Sequence, residues 1–297
     1  MEKAQSTSPY SEETIGLFFG LIGVLIFSGT LPATRVAVAF FDPWFLTFGR
    51  AGMASAAAAF TLVILKRNFP RKHIWTLLII GLFLVFGFPG AMGLAMLTVP
   101  SAHGGVVLGI LPLATAIFAS LLAGERLSLL FWLCGISGAI VIIAFALRDG
   151  AWGFEVGDAW LAVGCVCAAA GYVMSGKLTR FMAGWEVICW ALIITAPLSI
   201  VGSFLFWDNA YTAPPMPQAT AFLYVGLGSM FLGFFAWNKG LQMGGMSRVG
   251  QLQLLQTFFT LAVAAVVLGE SVTFETVLFA TAVVAIVLLG RKAKVTR

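Results

Sequence analysis

Two stretches decide the reading of this chain: Leu121-Leu122-Ala123-Gly124-Glu125-Arg126-Leu127-Ser128 and, 145 residues further on, Val266-Val267-Leu268-Gly269-Glu270-Ser271-Val272-Thr273. In each, a Gly-Glu pair closes an apolar run, and a Ser or Thr follows three residues after the Glu. The same displacement pairs Arg35 with Arg180 and Gly105 with Gly250. Within a chain of 297 residues this self-similarity marks an internal duplication.

Outward from these two copies, apolar sequence dominates. Hydrophobic residues make up 60% of the chain and charged ones 10%, against about 25% charged in soluble domains. Mean hydropathy is +1.01. A helix needs about 20 apolar residues to cross about 30 Å of hydrocarbon. Ten segments qualify: 14–38, 43–65, 73–97, 101–123, 127–147, 158–180, 185–206, 219–241, 248–268 and 272–290. Five lie in each copy, and an odd number per copy inserts the two in opposite directions about an axis in the membrane plane. The expected fold is an all-α polytopic membrane protein, with ten transmembrane helices in two inverted five-helix repeats around a central cavity. Residues 1–13 read as a cytosolic tail, 14–148 as the first repeat, 149–157 as an outer linker, 158–290 as the second repeat and 291–297 as a basic cytosolic tail.

Charge sets the orientation. The chain carries 17 Lys+Arg against 12 Asp+Glu, a net charge of +5. Fourteen of the 17 fall on the side that holds both termini, Arg35 and Arg148 on the other, and Arg50 inside the second segment. Because basic loops stay in the cytoplasm, both termini are expected there. The basic excess is thus spent on topology, and no nucleic-acid partner is read from it. The polar first fourteen residues, followed by an apolar run longer than the about 7–15 residues of a signal core, argue against a cleavable signal.

The chemistry available to the ten segments is sparse. Cys134, Cys165, Cys167 and Cys189 all fall in apolar sequence beside only two histidines, so no metal site, disulfide framework or cofactor is called for. A membrane enzyme would need a nucleophile, a metal cluster or paired carboxylates within its helices, and a pore usually needs rings of like residues from several subunits. A duplicated chain can build an alternating site of its own near mid-bilayer. A monomeric carrier for a small solute, embedded in the lipid bilayer, is the expectation.

The run Leu31-Pro32-Ala33-Thr34-Arg35-Val36-Ala37, the stretch from Gly104 to Ile117 with Pro112, and the two Gly-Glu signatures resemble the EamA repeats of the drug/metabolite transporter superfamily. The resemblance covers nearly the whole chain. Within that superfamily it is most similar to the YddG-type bacterial exporters of aromatic amino acids. It implies ten helices around a central cavity and export across the inner membrane, with aromatic or other neutral amino acids as substrates. A broad metabolite or drug exporter coupled to protons is the alternative. The small multidrug-resistance branch relies on a glutamate in its first helix, which this sequence lacks.

Candidate site residues follow from the cost of polarity in hydrocarbon, about 2.5–3.5 kcal/mol for a charge at a helix centre on insertion scales. No carboxylate is expected at mid-membrane, which favours a uniporter over a carboxylate proton relay. Proton exchange through His103, near the outer end of the fourth segment, is the other reading, alongside an interfacial His bonded to backbone. Arg50 lies about seven residues, roughly 10 Å, into the second segment. It either snorkels or pairs with a carboxylate such as Asp42, or attracts a substrate carboxylate. In the ninth segment Gln253, Gln256, Thr257 and Thr260 share one helical face, serving either as interhelical glue or as substrate ligands. Pro89-Gly90 and Pro112 should kink helices three and four toward the interior. Tyr172 and Trp237, with Phe27 and Asn238, read as the wall of a pocket for a flat amphipathic solute. Glu125 and Glu270 read as structural, each accepting from the first amides of the following helix, with gating as the second possibility.

Overall fold

The computed structural model describes residues 12–123, 126–127, 129–146, 155–244, 249, 252–291 and 295–296. Its helices are α1 (Thr14–Val38), α2 (Pro43–Ile64), α3 (Arg71–Ala95), α4 (Ser101–Leu121), α5 (Leu129–Ala146), α6 (Val156–Leu178), α7 (Gly184–Leu205), α8 (Met216–Met243), α9 (Gln253–Leu268) and α10 (Phe274–Arg291). Seven of them, α1 to α4 and α6 to α8, are long and apolar enough to cross a membrane. The apolar stretches of α5, α9 and α10 are shorter, at Trp132–Val141, Gln253–Leu268 and Phe274–Leu289. One exception to the helical architecture appears among the described residues: Arg126–Leu127 pairs antiparallel with Val295–Thr296.

Local chemistry sets the helix ends. The Asp42 carboxylate accepts from the Trp44 and Phe45 amides at 2.8 and 3.1 Å, with Pro43 opening α2. That is the usual N-cap arrangement. At the start of α6, Glu155 and Asp158 form a reciprocal capping box. Gly269 ends α9 at φ +65°, a left-handed conformation that an L side chain rarely adopts. Both its amide and that of Glu270 turn back to the Ala264 carbonyl.

This turn corrects the expected role of Glu270. Its carboxylate accepts from the Ser101 amide and hydroxyl, each at 2.9 Å, and from the Ala102 amide at 2.8 Å. It therefore caps α4, in the other half of the chain, and not the helix that follows it. The physical reason is that α10 has its own cap, since Thr273 Oγ1 accepts from the Thr276 amide at 3.2 Å. The first turn of α4, headed by Pro100, has no side-chain cap of its own. Glu125 lies outside the described residues.

The halves pack through corresponding helices. α2 and α7 run antiparallel: the Phe48 ring fills the space over Gly202, and Ser55 Oγ donates to the Leu192 carbonyl at 3.0 Å. α4 and α9 do the same, with Gly105 against Thr260 and Gly109 against Thr257. α1 packs on α8, and α6 packs in the same sense on α3, so the first helix of each half meets the third helix of the other. Glycine makes these approaches possible. A Cβ on Gly240 would sit 2.6 Å from the Gly20 nitrogen, and one on Gly171 2.5 Å from Leu84 Cγ. Close backbone approach of this kind replaces the hydrophobic driving force that lipid does not provide.

Backbone irregularities recur in both halves. α3 is wound as a π-helix over Leu82–Gly87 and α8 over Tyr224–Gly233, and shifting the first by 145 places it inside the second. In α3 the wide turn ends two residues before Pro89, whose ring would clash with the carbonyl four residues back in a regular helix. In α4 Pro112 cannot donate to the Leu108 carbonyl, and a 3-10 turn at Leu108–Ile110 lets the Leu111 amide take it instead. α1 is interrupted at Gly29 because Pro32 leaves the Ser28 carbonyl without its helical donor.

Two substitutions test this packing. Glu270→Ala removes all three bonds to the head of α4 and should cost about 1–2 kcal/mol, read as a lower melting temperature in detergent with transport per folded molecule retained. An unchanged melt contradicts the capping role. Gly240→Val should abolish monodisperse folded protein on size exclusion, because the two backbones at Gly20 cannot move apart without separating α1 from α8.

Candidate functional site

A chamber lies where the irregular segments meet. α1 contributes Phe27, Thr30 and Leu31; α2 contributes Arg50; α3 contributes Leu84, Phe88 and Pro89; α4 contributes Gly105, Leu108, Leu111 and Pro112. From the second half come Tyr172 of α6, Ser229, Met230 and Phe234 of α8, and Gln253, Gln256, Thr257 and Thr260 of α9. The cavity between these side chains is only about 50 Å³. That is room for a few waters, so an amino-acid-sized solute requires the walls to part.

The walls divide by chemistry. Phe27 meets Phe234 edge to face with centroids 5.2 Å apart, and Tyr172 lies 6.3 Å from Phe234. Together they form an aromatic cluster shared by both halves. Thr30 and Ser229 hydrogen-bond to each other at 2.8 Å across α1 and α8. On α9 the spacing of three and four residues brings Gln253, Gln256, Thr257 and Thr260 to the chamber as one polar stripe.

Arg50 is the charge of the chamber. It is only 3% exposed, and its Nε has no hydrogen-bond partner. Among the described residues no carboxylate borders the chamber, and none pairs with this guanidinium. Asp42, the partner considered from sequence, spends its carboxylate on the first amides of α2. Arg50 therefore neither snorkels outward nor pairs with Asp42. Its backbone is held from the other half by α8, where a Cβ on Gly226 would lie 3.4 Å from the Arg50 carbonyl oxygen.

Of the residues singled out from sequence, Phe27, Arg50, Pro89, Pro112, Tyr172, Gln253, Gln256, Thr257 and Thr260 converge on the chamber. Five others lie elsewhere. His103 Nε2 sits 2.6 Å from Asp158 Oδ1, with the two side chains 11% and 5% exposed, and its ring lies against Phe145. The pair joins the start of α4 to the start of α6, so the imidazole serves neither a backbone carbonyl nor the chamber wall. Trp237 is packed behind the wall, 3% exposed, with its ring 6.4 Å from that of Phe27 and its backbone against Gly23. Asn238 beside it donates to the Gly184 carbonyl at 2.9 Å. Gly90 faces Trp44 and Thr47, and Glu270 caps α4. Sequence reasoning missed Thr30, Ser229, Met230 and Phe234. Their signal was the counterpart of the α3 kink in α8, since Phe234 occupies the position of Pro89 under the 145-residue shift.

Comparison with known proteins agrees with this architecture. The sequence pattern of the EamA-like transporter family matches twice, over residues 14–148 and 155–290. The uncharacterized transporter YdeK of Bacillus subtilis (strain 168) is 42% identical over 283 residues, covering 95% of this chain and 99% of that protein. The aromatic amino acid exporter YddG of Ancylobacter novellus is 28% identical over 246 residues, covering 78% of this chain and 82% of its own length. A solved crystal structure superposes with a TM-score of 0.65 at 20% identity over 93% of this chain and 96% of that one, which shows a shared fold. With both halves matched, a multi-pass helical architecture and a chamber between the halves, the chain belongs to the EamA-like transporter family.

Proposed function

We propose that this transporter exports amino acids, aromatic ones and related small metabolites foremost, across the bacterial inner membrane by alternating access, as a monomeric uniporter. The seven long helices and the three shorter apolar ones then make ten spans. The antiparallel contacts of α2 with α7 and of α4 with α9 support an inverted arrangement of the two repeats. Both termini then lie in the cytoplasm, a placement that the distribution of Lys and Arg supports.

The observation that carries the substrate reading is the chamber wall. A buried cation, a stripe of amides and hydroxyls, and an aromatic cluster border one narrow space. A carboxylate suits the guanidinium, and a ring suits Phe27, Tyr172 and Phe234. The relative YddG, described as an aromatic amino acid exporter, supports the same class. With no carboxylate on the wall among the described residues, the substrate gradient suffices as the driving force.

A second reading, proton-coupled export, is favoured by one feature. The His103–Asp158 pair ties α4 of one half to α6 of the other, where protonation would alter the grip between them. One experiment addresses both readings: uptake of labelled phenylalanine, tryptophan, threonine and a lipophilic cation into liposomes holding the purified protein, with and without a pH gradient. The expected result is saturable uptake of the aromatic amino acids at a rate independent of the gradient. Uptake of the cation alone contradicts the substrate class, and acceleration by the gradient contradicts uniport.

A further inference from the structure

Four buried polar atoms among the described residues lack a hydrogen-bond partner: Thr34 Oγ1, Arg50 Nε, Gln218 Oε1 and Gln253 Nε2. Two of them, the Arg50 and Gln253 nitrogens, belong to residues that border the central chamber, and both are donors. A buried donor without an acceptor costs free energy, and a buried charge without a counter-charge costs more. The other polar groups at the wall do not supply the missing partner. Thr30 and Ser229 are engaged with each other, and the hydroxyl and amide groups of Tyr172, Gln256, Thr257 and Thr260 are neutral.

Charge balance then discriminates between solutes. A zwitterionic amino acid placed against Arg50 leaves the chamber with one net positive charge, and its ammonium finds only neutral acceptors. A cation adds a second positive charge beside the first. A monoanion brings the chamber to neutrality, and its carboxylate suits the guanidinium, the one charged donor on the wall among the described residues. We propose that the chamber is a carboxylate site for which the ammonium group of the solute is dispensable, so that the protein also carries aromatic monocarboxylates, such as 2-oxo acids with the skeleton of phenylalanine. The proposal rests on the reading of the chamber as the transport site, and it sharpens that reading from amino acids to carboxylates.

The test is equilibrium binding of three labelled compounds of one skeleton to the purified full-length protein at neutral pH: phenylpyruvate (anion), phenylalanine (zwitterion) and phenethylamine (cation). The expected order is phenylpyruvate at least as tight as phenylalanine, with phenethylamine unbound at a hundredfold higher concentration. If phenethylamine matches phenylalanine, or if phenylalanine binds and phenylpyruvate does not, the carboxylate proposal falls while the amino-acid reading stands. If phenylpyruvate binds and phenylalanine does not, the amino-acid reading falls and the carboxylate proposal stands. Binding of none overturns both.

Two variants separate ligand contact from architecture. Arg50→Gln should weaken phenylpyruvate by about tenfold or more and should also raise the melting temperature of the ligand-free protein, because an unpaired buried charge has been removed. Gln253→Leu should weaken phenylpyruvate by several-fold and leave phenethylamine unbound. A lower melting temperature for Arg50→Gln with unchanged affinity overturns the assignment.

Discussion

In hydrocarbon every backbone amide and carbonyl must find its partner inside the protein, and irregular backbone survives only where protein or a cavity covers it. That constraint organises this molecule. The break of α1 at Gly29, the π turns of α3 and α8 and the 3-10 turn of α4 all lie beside residues of one chamber. Helices α5, α7 and α10, regular along their described lengths apart from Pro197 in α7, contribute nothing to its wall. The chamber exists where helices cannot pack regularly.

Around the chamber the two halves hold each other more than they hold themselves. α1 and α8 share a seam of backbone contacts at Gly20, Gly23 and Gly240, and Tyr224 reaches across to the Ile26 carbonyl at 2.5 Å. Within the first half, Arg35 donates to the carbonyls of Met96 and Val99, which the end of α3 leaves free; the remaining links cross between the halves. Glu270 caps α4 from the end of α9, and His103 meets Asp158 at the start of α6. These polar links leave the mid-chamber stripe of α9 unoccupied, so polarity in the interior divides into groups spent on architecture and groups left available to a solute.

Most of the architecture was legible in the sequence because its causes are local. Apolar length places the helices, and the kinks at Pro89 and Pro112 follow from a missing amide. The shared face of Gln253, Gln256, Thr257 and Thr260 follows from helical spacing alone. What stayed hidden depends on which helix faces which. Glu270 caps a helix 169 residues away in sequence rather than its neighbour, and no spacing rule carries that information. His103 found a carboxylate on α6, and Trp237 turned to the seam between α1 and α8 instead of the lumen. The π turn of α8 has no proline to announce it, and so Ser229, Met230 and Phe234 were overlooked on the wall.

The central claim is that one chamber between two antiparallel halves is reached in turn from each side of the membrane. The most direct measurement replaces Gln256 by cysteine in a background lacking Cys134, Cys165, Cys167 and Cys189, then adds a membrane-impermeant thiol reagent from either side of vesicles in which the protein has one orientation. The account predicts labelling from both sides, each protected by substrate. Labelling from one side only, or from neither while transport persists, would contradict it.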